Sequence, residues 1–241
     1  MNNTLLNNLE TFEKEKIKIR KKIDANKNTI NTLKNEIDSF FTDCATLKDK
    51  VNAHKENKDD ISRLELKLAT AYENETILNT ALKVANEMKV KTVANAVRHE
   101  ITSNPEIWCK YPLHYEKFKN MIKEFLSGTD LYFYKRGYGE SYYLSGNYDL
   151  NFDIYLFDAE NGSITNKVVD GLRTKQEYPI IKASDILTEC KKAFTARKKI
   201  IIKYENMKKE LDSLRSPFTS CNAFYNILPY APVSMSNHNY L

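Results

Sequence analysis

The sequence predicts a mainly helical α+β protein. A long N-terminal antiparallel coiled-coil hairpin carries a small head with a three- or four-stranded antiparallel sheet, and a long C-terminal helix follows. Three observations predict this. Residues 1–104 hold none of the six glycines and six prolines, yet carry a sustained apolar heptad seam. Between Leu131 and Phe157 the apolar period drops to two, with glycines at the breaks. From Asp185 to Arg215 the helical period returns, until Ser216-Pro217 stops it.

The seam runs Leu5, Leu9, Phe12, Lys16, Ile19, Ile23, Asn26, Ile30, Leu33, Ile37, Phe40, Cys44, Leu47, Val51, in alternating steps of four and three. Of these fourteen slots only Lys16 and Asn26 are polar. Polar seam residues set register at a cost in stability, so these two are candidate register residues and point to a homo-oligomer formed through the coiled coil. The first helix is expected over about Asn3 to Ala53. The polar run His54 to Asp60 breaks the heptad phase and reads as the hairpin turn, which would set Leu33 opposite about Leu82. The phase restarts at Ile61, Leu64, Leu68 and Ala71. Ser62-Arg63-Leu64-Glu65 fits a capping box there, with Ile61 and Leu66 placed as a hydrophobic staple. A single helix with a stammer at this point is the competing reading.

The second arm is expected to end near Ser103. Asn104-Pro105 then reads as an N-cap followed by proline at the first helical position, opening a short helix that carries Trp108. A helix over Leu113–Ser127 follows, closed by Gly128. In the period-two region Leu131 and Phe133 alternate with Tyr132 and Tyr134, and Tyr142 and Leu144 with Ser141, Tyr143 and Ser145. Leu150, Phe152, Ile154 and Leu156 face opposite to Asn151, Asp153, Tyr155 and Phe157. Asn161-Gly162 marks a turn into a fourth strand over Ser163–Val169. Ser184 is expected to cap the last helix, which could lie along the hairpin as a third strand. The domain reading is thus a stalk (1–104), a head (105–183), a long helix (184–215) and an uncharged, extended tail (216–241).

Composition limits the function classes. Residues 1–104 are nearly charge-balanced, with 18 Lys/Arg and 16 Asp/Glu. Residues 182–215 carry ten Lys/Arg against five Asp/Glu, which equals the whole-chain excess of +5. No run approaches the ~18 apolar residues of a membrane helix, and the N-terminus has no basic-then-apolar leader pattern. The four cysteines (Cys44, Cys109, Cys190, Cys221) are widely spaced. Reduced thiols in a cytoplasmic protein are the expectation. Richness in Asn, Lys and Ile suggests an AT-rich genome, such as that of a low-GC bacterium or a phage.

No catalytic, metal or cofactor site is expected. His54, His99, His114 and His238 fall in no zinc-protease spacing, and no nucleophile-elbow, P-loop or dinucleotide fingerprint is present. Gly137-Tyr138-Gly139 is a turn device, because no helix follows to hold a phosphate. The head carboxylates Glu140, Asp149, Asp153, Asp158 and Glu160 read as solvated strand ends.

Two surfaces remain. Tyr132, Tyr134, Tyr143 and Tyr155 share the outer face of the expected sheet, beside Lys135 and Arg136. Tyrosine-rich faces suit a protein partner. A basic run of Lys191, Lys192, Arg197, Lys198, Lys199 and Lys203 sets Lys192, Lys199 and Lys203 on one side of the last helix, opposite Phe194 and Ile201. Such a stripe could follow a phosphate backbone while sheet tyrosines stack bases. The leading expectation is a non-enzymatic interaction protein, plausibly a phage or mobile-element product that binds or inhibits a host protein. The alternative is a nucleic-acid-binding protein.

Overall fold

The computed structural model describes residues 3–109, 132–136, 141–145, 153–159 and 163–215. It is mainly helical, with one small antiparallel sheet. In chain order the elements are α1 (Asn3–Ser39), α2 (Leu47–Glu56), α3 (Lys58–Ser103), α4 (Pro105–Trp108), β1 (Tyr132–Arg136), β2 (Ser141–Ser145), β3 (Asp153–Asp158), α5 (Asn166–Thr174) and α6 (Ile186–Arg215). The expected helix over 113–127, the Gly137–Gly139 turn, the outermost strand positions Leu131, Leu150 and Phe152, and the tail 216–241 lie outside the described residues.

The chain forms two compact units, Met1–Lys191 and Lys192–Leu241. In the first, α1 pairs antiparallel with α3: Glu13 meets Lys89, and Asn26 meets Ala71 and Asn74. The heptad slots are the buried stripe. Leu5, Leu9, Phe12, Ile19, Ile23, Ile30 and Leu33 are all buried, and so are Lys16 and Asn26. Each apolar side chain so buried contributes roughly 1.5–3 kcal/mol, against about 1 kcal/mol for a typical hydrogen bond. Apolar burial therefore drives the pairing.

The turn of this pair differs from the expectation. Residues 54–60 are helical except for Asn57; the non-helical link between α1 and α2 is 40–46. The heptad stripe accordingly fades through half-buried Ile37, Phe40 and Cys44, and Leu47 is 78% exposed. Leu33 packs in a cluster with Leu64 and Ala71 rather than opposite Leu82, which lies against the Phe12–Ile19–Ile23 cluster. The polar run misled because a helix with no buried face needs no apolar period: α2 buries none of its residues. Its start is set by a capping box in which the Thr46 hydroxyl accepts from the Asp49 N–H and the Asp49 carboxylate accepts from the Thr46 N–H. The Ser62 box is not used. Ser62 lies inside α3, and its would-be staple partners separate, Ile61 being buried and Leu66 71% exposed. Asn57 alone interrupts the two helices, and the bonds Asn57 N–H to Ala53 O and Ile61 N–H to Asn57 O carry the backbone across it.

The sheet has the order β1-β2-β3, antiparallel throughout. Its buried face joins a cluster containing Leu5 and Leu9 of α1, Val90, Val93, Ala94, Val97 and Ile101 of α3, and Trp108. The sheet thus shares one cluster with the start of α1 and the last turns of α3. α5 completes it with Val169 and Leu172. The stretch 163–169 was expected as a fourth strand; after a single bridge at Ser163 it turns into α5 instead. Thr165 caps that helix by accepting from the Val168 N–H at 3.3 Å, and Val169 and Leu172 are three apart, so both face the core.

The first turns of α6 close the unit. Ala183, Ile186 and Cys190 are buried in one cluster with Phe12, Ile19 and Ile23 of α1 and Leu78, Ala81, Ala85 and Met88 of α3. In the second unit α6 continues as a helix whose residues 192–213 are exposed, apart from half-buried Phe194.

Candidate functional site

The sheet carries an aromatic row on each face. On the core side Phe133, Tyr142 and Phe157, one from each strand, stack at centroid separations of 5.3 Å. A register shift makes this possible. Tyr142 pairs with Phe157, but Tyr143 pairs with Tyr155, so Leu156 is an extra residue in β3. Strict alternation had put Phe157 on the outer face with Tyr155. The bulge returns it to the core, where Ile154, Leu156 and Phe157 are all buried.

On the opposite face the four predicted tyrosines do come together. Tyr134 and Tyr143 stack at 5.6 Å, Tyr143 meets Tyr155 edge-on at 5.7 Å, and Tyr132 lies 5.8 Å from Tyr134. All fall within the range in which aromatic pairs attract. The cross-strand register Tyr134↔Tyr143↔Tyr155 builds this row directly. Tyr134, Tyr143 and Tyr155 are half-buried and Tyr132 is exposed. Exposed Arg136 follows Tyr134 on the same face.

At the β3 end the row is closed by contacts that the sequence did not announce. Lys175 places its ammonium 4.5 Å from the centre of the Tyr155 ring. Burial and the adjacent Asp158 carboxylate, which accepts the phenol's hydrogen bond, push the Tyr155 hydroxyl up to about 12. Tyr155 is therefore a neutral donor over the whole physiological range.

The segment that delivers Lys175 is strapped to α3. The Asn95 side chain donates to Tyr178 O at 2.9 Å and accepts from the Tyr178 N–H at 3.0 Å, replacing a strand partner. Arg98, buried, donates to Gln176 O and to the Tyr178 hydroxyl and stacks on the Tyr178 ring at 4.3 Å. The Tyr178 hydroxyl in turn donates to Tyr155 O at 2.9 Å, joining strap and sheet. The one sequence signal for this was a pair of polar residues, Asn95 and Arg98, inside the most apolar stretch of α3.

The other candidates are scattered. Lys191, Lys192, Arg197, Lys198, Lys199 and Lys203 are exposed along α6. His54 and His99 are exposed on helices, and His99 Nδ1 lies 3.4 Å from Ser103 Oγ. Among the described residues no three His, Cys, Asp or Glu side chains gather as a metal group would require, and no helix is long and apolar enough to cross a membrane. The register residues find partners within the chain. Asn26 donates to Ala71 O at 2.9 Å and accepts from the Asn74 amide at 2.8 Å, while Glu13 bridges buried Lys16 and Lys89.

The chain matches no protein-family model, no curated protein and no solved structure.

Proposed function

We propose that this chain is a non-enzymatic interaction protein that docks a protein partner on the tyrosine face of its sheet. The tyrosine row across all three strands carries this reading. The inner row already supplies the sheet's core, so the fold does not require a second aromatic row facing outward. Tyrosine brings large contact area at low entropic cost and is enriched where binding energy concentrates. Lys175 and Arg136 would form a polar rim.

A second reading rests on the exposed Lys192, Lys199 and Lys203, which could follow a phosphate backbone. Tagged chain purified from its native host, with and without nuclease, separates the two. A partner that survives nuclease and is lost with Tyr143→Ala or Tyr134→Ala supports the docking face. Each such truncation should cost about 2 kcal/mol or more, with modest salt dependence. Binding that falls steeply with salt, disappears with Lys192→Glu/Lys199→Glu/Lys203→Glu and ignores the tyrosine changes would sink it.

A further inference from the structure

The apolar stripe on α6 that is buried in its first turns does not stop there. Ala183, Ile186 and Cys190 are buried against α1 and α3. The same alternation of three and four continues through Ala193, Arg197, Ile200, Tyr204, Met207 and Leu211. In this continuation the large apolar side chains face solvent: Ile200 is 69% exposed, Tyr204 63%, Met207 59% and Leu211 37%. A stripe of this spacing is the seam by which helices pair. From Ala193 to Leu211 it is about 28 Å long at 1.5 Å per residue.

We propose that this stripe pairs antiparallel with the same stripe of a second copy of the chain, which makes the protein a dimer through α6. Two observations name the occupant. The stripe is continuous with an interface that already buries its N-terminal end. The flanking charges also complement their own copy in one orientation. With the two-fold axis between Tyr204 and Met207, Tyr204 packs on the second copy's Met207 and Ile200 on its Leu211. Lys203 then lies beside Glu210 of the other chain, twice per dimer. Neither Lys203 nor Glu210 is ion-paired among the described residues. A parallel pair would instead stack Arg197 on Arg197 within the seam and set Lys203 beside Lys208, placing like charges together on both counts. This inference is independent of the tyrosine face.

Sedimentation equilibrium of the full chain tests it. The expected result is a monomer–dimer equilibrium with a Kd of about 1–100 μM. Tyr204→Glu or Met207→Glu should weaken it by at least about a hundredfold, because each buries a charge in the seam. Their native helix content by circular dichroism follows from the exposure of both positions. Lys203→Glu and Glu210→Lys should each weaken the dimer about tenfold, and the double exchange Lys203→Glu/Glu210→Lys should restore it. A monomer at every concentration overturns the proposal, as does a dimer indifferent to Met207→Glu. Strengthening by Lys203→Glu alone would indicate a parallel pair and overturn the assigned geometry. A chain that stays monomeric alone but binds another protein or a nucleic acid through this stripe would overturn the choice of occupant.

Discussion

Glu13 sits between two buried lysines, Lys16 and Lys89, and is itself 39% exposed. Burial alone would raise its carboxyl, but the hydrogen bonds from Lys89 and Lys16 outweigh that and hold it below its ordinary value of 4.5. Glu13→Gln removes the negative charge that the Lys16 and Lys89 ammonium groups share inside the helix pair. Breaking a fully buried pair costs about 3–5 kcal/mol; the solvent access of Glu13 reduces this, and a loss of about 2 kcal/mol in urea unfolding is expected. The pH dependence has a definite direction. The folded-state value is depressed, so the stabilisation is complete above pH 4.5 and fades as pH falls through the lower folded value. Wild type and Glu13→Gln should converge in acid, and a gap that widens there would refute this assignment. Asn26 is different in kind: its amide donates to Ala71 O and accepts from the Asn74 amide, so it links α1 to α3 without a charge.

At the scale of elements, the strap over 175–182 has no regular secondary structure before its 3-10 turn and depends on Asn95 and Arg98. Asn95→Ala removes both bonds to the Tyr178 backbone. Exchange of the Tyr178 amide should accelerate about tenfold to a hundredfold, for the roughly 1.5–3 kcal/mol that two such bonds provide, while the global melt moves far less. Unchanged exchange would mean that Arg98 and the packing of Tyr178 hold the strap alone. The elements also show where sequence patterns mislead. The end of α2 and the start of α3 look like a loop because residues 54–60 are polar, whereas the break at 40–46 looks helical because Phe40 and Cys44 fill heptad slots; its signal was Thr46 with Asp49 three residues on. The stretch 163–169 looks like a strand because Val168 and Val169 are β-branched; the Thr165 cap and the i, i+3 pair Val169 and Leu172 make it a helix.

At the scale of the whole first unit, the sheet and the helix pair share one cluster, in which Phe157 touches neither α1 nor α3 in sequence but lies among their residues in space. Phe157→Ala should cost about 3–5 kcal/mol. Because the core is common, helix loss by far-ultraviolet dichroism and sheet loss by tyrosine fluorescence should still follow one transition. Separate midpoints would show that the cluster shared by the sheet, α1 and α3 does not couple them.

The sequence by itself determined which residues face inward on α1 and on most of the sheet. The heptad slots from Leu5 to Leu33 are buried as spaced, and Tyr132, Tyr134, Tyr143 and Tyr155 share one face as alternation requires. Period is a local property: it depends on the geometry of one element and can be counted along the chain. The tertiary structure decided the pairing of Asn26 with Ala71, the bulge that brings Phe157 inside, and the strap that sets Lys175 on Tyr155. Each of these depends on a partner distant in the chain. A helix pair can slide by a turn and keep its period, and a strand can take an extra residue and keep its hydrophobicity. What selects among such choices is the summed burial of both partners, and that exists only once they meet.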